Sequence, residues 1–276
     1  MNTYHATSPG EVSNMNTEHL RKQFLLDGLM NPGHILLNYS HYDRMIVGGA
    51  MPLREVLTLS NPAELRADFF LERRELGIIN IGGSGTVISS AGTVQMDKLD
   101  CLYLGRGTTE VQFSSISPDQ PAQFFLLSAP AHSHYPVRLM TAAEANPNQL
   151  GATHTANART IYKYIHPDGI ESCQLVMGLT ILENGSVWNT MPPHTHDRRM
   201  EAYFYFDLPA GQRVLHLMGQ PEQTRHLWIS NHQAIISPPW SIHAGCGTMA
   251  YSFIWGMAGE NQSFTDMDPV GLDALA

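Results

Sequence analysis

The chain has 276 residues, enough for one large domain or two modest ones, and 43% hydrophobic content with 23 glycines and 17 prolines describes a turn-rich polypeptide with ample core material. Charged residues reach only 15%, against a typical share of about 25%, which argues against coiled coil and against disorder. With a net charge of −9 and no Lys/Arg run longer than a pair, the footprint that a phosphate backbone requires is missing, so no nucleic-acid partner is expected. Cys101, Cys173 and Cys246 are odd in number and contain no CxxC pair, which points away from a disulfide framework and towards a reducing, cytoplasmic home. The first residues lack a basic stretch followed by an apolar one, and nowhere do 18 apolar residues run together, so neither export nor a membrane partner is expected.

Residues 16–29 read as an amphipathic helix, with Asn16 or Thr17 as cap, Leu20, Phe24 and Leu25 at helical spacing, and Gly28 as terminator. A short helix is expected after Asn61-Pro62, and another after Thr141, where Thr-Ala-Ala-Glu has the form of a capping box. Helix is the minority element. Runs at 76–81, 86–89, 101–104, 111–115, 124–128, 160–166, 175–182, 201–207, 214–218, 226–229, 234–237 and 249–255 are rich in Val, Ile, Leu, Phe and Tyr and bounded by turn residues, the pattern of antiparallel sheets. They fall in two clusters on either side of a Pro- and Gly-containing connection at 129–157. The expected organisation is all-β: an N-terminal barrel over 1–128, preceded by a helix, and a C-terminal barrel over 158–276. A weak internal repeat supports two related units, since Glu75 precedes Gly85 by ten residues as Glu201 precedes Gly211, and Arg73-Arg74 and Arg198-Arg199 lie just upstream.

The stretch Met191-Pro-Pro-His-Thr-His-Asp-Arg-Arg-Met-Glu-Ala-Tyr-Phe-Tyr-Phe206 carries the chemistry. Side chains two apart on a strand face the same way, so His194 and His196 can aim both imidazoles at one point. Glu201 lies an odd five positions beyond His196, and a hairpin through residues 197–200 would return it to the same side. His243, within Ser237-Pro-Pro-Trp-Ser-Ile-His243, is the leading fourth donor because the rigid turn delivers it at a strand start. Three histidines and a carboxylate suit Zn, Mn, Fe, Co or Ni; the plainer reading of any one of 14 histidines is a satisfied sheet residue.

These residues resemble the two metal motifs of the cupin superfamily. More closely, the chain from 44–52 through Glu72-Arg-Arg-Glu-Leu-Gly-Ile-Ile-Asn80 and the histidine stretch to Trp255-Gly-Met-Ala-Gly-Glu-Asn-Gln262 resembles the 4-deoxy-L-threo-5-hexosulose-uronate ketol-isomerase family. The resemblance implies a bicupin fold of two small jelly-roll barrels with a few short helices, one zinc ion per chain on His194, His196, Glu201 and His243, a homohexamer, and a cytoplasmic role in pectin and uronate catabolism. The implied reaction converts 5-dehydro-4-deoxy-D-glucuronate to 3-deoxy-D-glycero-2,5-hexodiulosonate. Either a proton transfer through an enediolate or a hydride shift between C2 and C1 would accomplish it.

The N-terminal unit departs from the metal pattern. With Glu75 set against Glu201, Asp68 and Phe70 fall at the histidine positions, so that barrel is expected to be metal-free. In the C-terminal unit Glu201, Tyr203 and Tyr205 share a strand face, which offers the phenols as cavity-lining groups and Glu201 and Tyr203 as catalytic ones. Arg159, Ile161, Lys163 and Ile165 share another, and Arg159 or Lys163 would receive the substrate carboxylate, since two cations on a core strand need partners. Arg198 and Arg199 lie within reach of the pocket mouth or form a solvated turn. His216 and His226 are weaker base candidates; Trp188, Trp255 and Met257 are wall candidates or core. The competing functions are an iron-dependent cupin dioxygenase and a non-catalytic sugar-binding cupin.

Overall fold

Short apolar runs separated by turn residues leave their backbone groups unpaired until strands meet. In the computed structural model, which describes residues 1–276, they pair into four main sheets, one of seven strands and one of four in each half of the molecule, the C-terminal seven-stranded sheet borrowing one edge strand from near the N-terminus. The sheets stack as layers in the order four, seven, seven, four. One apolar core lies inside each half, and the largest fills the space between the two seven-stranded sheets, where Phe125 stacks on Phe204 with ring centroids 4.4 Å apart.

This layering explains why the central strand Arg199–Phe206 is buried at every position. Tyr203 and Tyr205 enter the core of the C-terminal half, whereas Met200, Ala202, Phe204 and Phe206 enter the layer between halves. Alternation therefore separates two apolar faces instead of an apolar from a polar one. The closed barrels expected from the sequence are absent: no backbone ladder joins a seven-stranded sheet to its four-stranded neighbour. Between Arg74–Asn80 and Gly85–Ser89 the chain changes sheet at Gly82-Gly83, where a Cβ would meet Pro121 O at 2.5 Å and Gln120 O at 2.1 Å.

The first helix is shorter than expected. It spans Thr17–Phe24, with the Asn16 side chain accepting from the His19 N–H at 2.9 Å, and ends because Leu25–Leu26 pairs with Ile235 and Ala234 of the C-terminal sheet. After Asn61-Pro62 there is one 3₁₀ turn, Ala63–Leu65. Thr141 and Glu144 make their capping bonds, but around a single turn that never becomes a helix. A further helix, Pro9–Val12, starts from a Ser8–Glu11 capping box. The 129–157 region contributes to both halves, since Arg138–Met140 pairs with Cys101–Leu104 and Asn148–Leu150 with Arg159–Ile161.

The halves repeat in strand order and in register. Pro130 stands opposite Arg74 as Gly259 stands opposite Arg199, so Leu76 holds the place of Glu201. The sequence repeat, which set Glu75 against Glu201, is therefore one residue out of phase, and on a strand one residue reverses the face. Glu75, fully buried, points into the layer between halves. Its carboxylate accepts from the backbone N–H groups of Cys173, Gln174 and Leu175 at 2.7–2.8 Å and from the Tyr103 hydroxyl at 2.7 Å. Replacing it by Glu75→Gln sets an amide N–H₂ against donors that it cannot satisfy. A loss of about 2–3 kcal/mol is expected, read as a lowered Tm in thermal unfolding; an unchanged Tm would show that this carboxylate does not tie the halves together.

Candidate metal centre

Pro192 and Pro193 precede the first histidine and favour extended backbone there. His194–Thr195 then pairs with Asp268–Pro269 rather than with the strand that follows it, so the hairpin expected between His196 and Glu201 is only a tight turn at Asp197-Arg198, closed by the Arg199 N–H donating to His196 O at 3.0 Å. Glu201 projects from the central strand between Ser237 and Met257. His243 arrives from the Pro-rich turn after Ala234–Ser237, which is pinned by the Ile242 N–H on Gly219 O at 2.9 Å.

The four side chains converge, with one donor atom from each within 4.8 Å of all the others. Glu201 Oε2 lies 3.0 Å from Nε2 of both His196 and His243, and the Nε2 atoms of His243 and His194 are 3.0 Å apart. Two donors each about 2.1 Å from a common ion and at right angles would lie roughly 3.0 Å apart. The nitrogen–nitrogen approach also sets two lone pairs against each other unless a cation lies between them. His196 Nδ1 donates to Arg199 O at 2.9 Å and His243 Nδ1 lies 3.4 Å from Ser237 Oγ, which orients both Nε2 atoms inward. The set fits a divalent transition-metal ion.

Burial and the facing His243 push His194 down to about 3, leaving a neutral donor. Burial opposes charge on His196 too, but the hydrogen bond and charge of Glu201 outweigh it and hold that imidazole above its usual value. Glu201 is held well below the carboxylate range: burial works against ionisation, and His243 and His196 overcome it.

A cavity of about 360 Å³ opens beside these donors. His194, Glu201 and Tyr203 line it together with Arg159, Thr180 and Thr190, and most of the remaining wall is apolar. Trp255 reaches the wall because Gly178 on the neighbouring strand has no Cβ, which would lie 2.3 Å from its Cζ2; the indole N–H donates to Thr180 Oγ1 at 3.2 Å. Tyr203 is buried, stacks on Phe253 at 5.2 Å and stands 3.3 Å from Thr190 Oγ1; burial raises its pKa well above the usual value, so it stays protonated. Half-buried Arg159 donates to Asn157 O at 3.0 Å and has no carboxylate partner.

Lys163 does not line the cavity. It keeps the register of Arg159 and Ile161, opposite Gly178, but its ammonium sits 4.1 Å over the ring of Phe264, which itself lines the cavity; the bulge between Lys163 and Ile165 comes after it and takes Ile165 off that face instead. Tyr205 lies deeper, its hydroxyl 2.6 Å from Nδ1 of the buried His216, while His226 is exposed and Trp188 lies outside the cavity on a strand paired with Cys246. Met257 is a wall residue, as Trp255 is. Arg198 and Arg199 form neither a solvated turn nor part of the cavity lining. Arg198 binds both Asp266 oxygens at 2.6 and 3.1 Å and Asp268 at 2.9 Å, and Arg199, 0% exposed, donates to Ser263 O and Asp266 O. The clamp fixes the segment whose Phe264 and Met267 face the cavity. The Arg198 hydrogen bond, chiefly, pushes Asp266 down to about 2. Nothing in the spacing of these distant residues marks them as cavity residues.

A 4-deoxy-L-threo-5-hexosulose-uronate ketol-isomerase of Shouchella clausii is 55% identical to this chain over 275 residues, covering 100% of both chains. Proteins of the same name from Halalkalibacterium halodurans and Formosa agariphila are each 51% identical, over 100% and 98% of this chain and 100% and 97% of theirs. Among solved structures, an IolB-like protein of Salmonella typhimurium LT2 superposes with a TM-score of 0.73 at 16% identity, covering 90% of this chain and 96% of that one. An oxalate decarboxylase of Lactobacillus farciminis superposes with a TM-score of 0.56 at 9% identity, over 83% and 79%, a likeness of fold alone. The KduI/IolB family model matches residues 33–270, and with full-length relatives above half identity the chain belongs to that family.

Proposed function

We propose that this chain is a metal-dependent ketol-isomerase that converts 5-dehydro-4-deoxy-D-glucuronate to 3-deoxy-D-glycero-2,5-hexodiulosonate in the breakdown of pectin-derived uronates. The observation that carries the reading is a cluster of four converged metal donors, of which His194 and Glu201 open onto a cavity, and on the wall of that cavity a guanidinium with no counter-charge. An acidic sugar needs both. Relatives of this name at about half identity over the full length support the same assignment.

His194, His196, Glu201 and His243 would hold a divalent ion, zinc in this reading, whose chemistry when bound is Lewis-acid polarisation of carbonyl and hydroxyl oxygens. Arg159 takes the substrate carboxylate and so fixes the sugar end to end. Glu201 presents both histidines with the same oxygen, Oε2, which leaves Oε1 to accept the C2 proton and return it at C1, while the proton of the C2 hydroxyl passes to the C1 oxygen. Tyr203, kept protonated by burial, donates a hydrogen bond to the oxygen on which negative charge grows. Phe253, Phe264, Trp255 and Met267 exclude water from that exchange. Lys163, outside the lining, supports Phe264.

The proposal extends to the architecture: two cupin units, 1–128 and 158–276 joined by 129–157, of which only the second holds the ion. The repeated strand order supports it, and Leu76 standing at the place of Glu201 supports a metal-free first unit. A homohexamer in the cytoplasm completes the reading. Three unpaired cysteines accord with that compartment, and no helix is long and apolar enough to cross a membrane.

Elemental analysis of the purified protein should find about one divalent ion per chain. Chelation should abolish isomerisation followed by NMR, and His194→Ala should lose the ion and more than about 100-fold in kcat/KM; undiminished turnover by verified metal-free protein overturns the assignment. Arg159→Gln removes a charge-assisted hydrogen bond worth about 1.5–3 kcal/mol, so KM should rise by about 10- to 100-fold with kcat little changed. Tyr203→Phe should instead lower kcat at nearly constant KM. If the two substitutions show the reverse pattern in steady-state kinetics, the roles given to Arg159 and Tyr203 are wrong.

A further inference from the structure

The N-terminal half carries a cavity of about 360 Å³, equal in volume to the one beside the four donors, and the isomerisation has no use for it. Arg44, Arg73 and Arg74 line it with one carboxylate, Glu64, and with Tyr39 and Phe70 on its wall; Arg73 also has Glu72 at 3.9 Å, outside the lining. Three guanidiniums around a small cavity run against a chain whose net charge is −9.

Arg74 is the decisive group. It is only 7% exposed, and its donors go to neutral partners: Nε to Ser128 Oγ at 3.0 Å, Nη2 to Arg44 O at 2.6 Å and to Ser128 O at 2.7 Å. No carboxylate lies within ion-pair distance of it. The adjacent Glu75 points to the opposite face, where three backbone N–H groups and a phenol occupy it. A buried charge without a counter-charge is costly. Arg199, at the equivalent register position, shows the alternative, because the segment carrying Ser263 and Asp266 folds over it; Arg74 lines open space instead.

We propose that this cavity is a second ligand site, for a small organic acid. The carboxylate seats on Arg74, Arg44 and Arg73 approach it from the rim, and the carbon frame lies against Tyr39 and Phe70. Aromatic walls favour an organic frame over an inorganic ion, and a cavity of this volume is within the range of small-molecule pockets.

Isothermal titration of the full chain with D-glucuronate tests the proposal in an Arg159→Gln background, which weakens the other cavity. Adding Arg44→Gln and Arg73→Gln, both at exposed positions, should remove one saturable equivalent of binding per chain; Arg44→Gln by itself, which spares the bonds from Arg73 to Leu65 O and Arg66 O, should weaken that binding while the Tm and isomerase activity of the otherwise unmodified protein stay unchanged. Three results overturn it: no saturable binding in the Arg159→Gln protein, binding indifferent to the rim substitutions, or saturation by inorganic phosphate with none by glucuronate.

Discussion

A carboxylate buried on an interior strand of a seven-stranded sheet is the constraint around which the C-terminal half is arranged. Glu201 is 4% exposed, and an ionised group at that depth persists only if its partners arrive in fixed places. Two imidazoles meet one oxygen at 3.0 Å, and each is held by an acceptor or hydroxyl behind it. The elements that deliver them are rigid for the same reason: a Pro-Pro entry, a tight turn and a second Pro-rich turn. Three strands and two turns therefore have little freedom, because moving any one of them strands a buried charge.

The N-terminal half shows the same scaffold released from that constraint. Leu76 and Ile78 replace Glu201 and Tyr203 and enter an ordinary apolar core, while a different carboxylate, one residue earlier, faces the other way and serves the junction between halves. One residue of phase on a strand thus separates a candidate catalytic group from an adhesive one. The arginine at the head of the strand persists in both halves and is covered in only one of them.

How far the sequence discloses this follows from the range of each interaction. His194, His196 and Glu201 lie within eight residues and Pro238-Pro239 marks His243, so local periodicity and turn chemistry suffice to assemble the donors. Most strands are legible too, because alternation and Gly/Pro boundaries are local. The layer between the seven-stranded sheets is not, since a strand apolar on both faces looks like any buried run. Nor is the clamp from Arg198 and Arg199 onto Asp266 and Asp268, which joins positions more than 60 apart, or the seat of the Lys163 ammonium over Phe264. The end of the first helix is hidden as well, because Leu25 continues a helical pattern and only a strand far along the chain makes it extended.

That last pairing bears on how the molecule comes into being. Leu25 meets Ile235, so the edge of the C-terminal sheet is completed by a segment made near the start of synthesis. Leu20 and Phe24, buried against that half's core, have no apolar surface to join until the strand containing Ile235 has emerged. The contact is among the longest in sequence that the fold contains, and long-range pairings of this kind slow folding and lengthen the exposure of apolar segments. A chain cut at the apparent boundary between its halves would therefore leave an unpaired sheet edge on one piece and an orphaned amphipathic helix on the other.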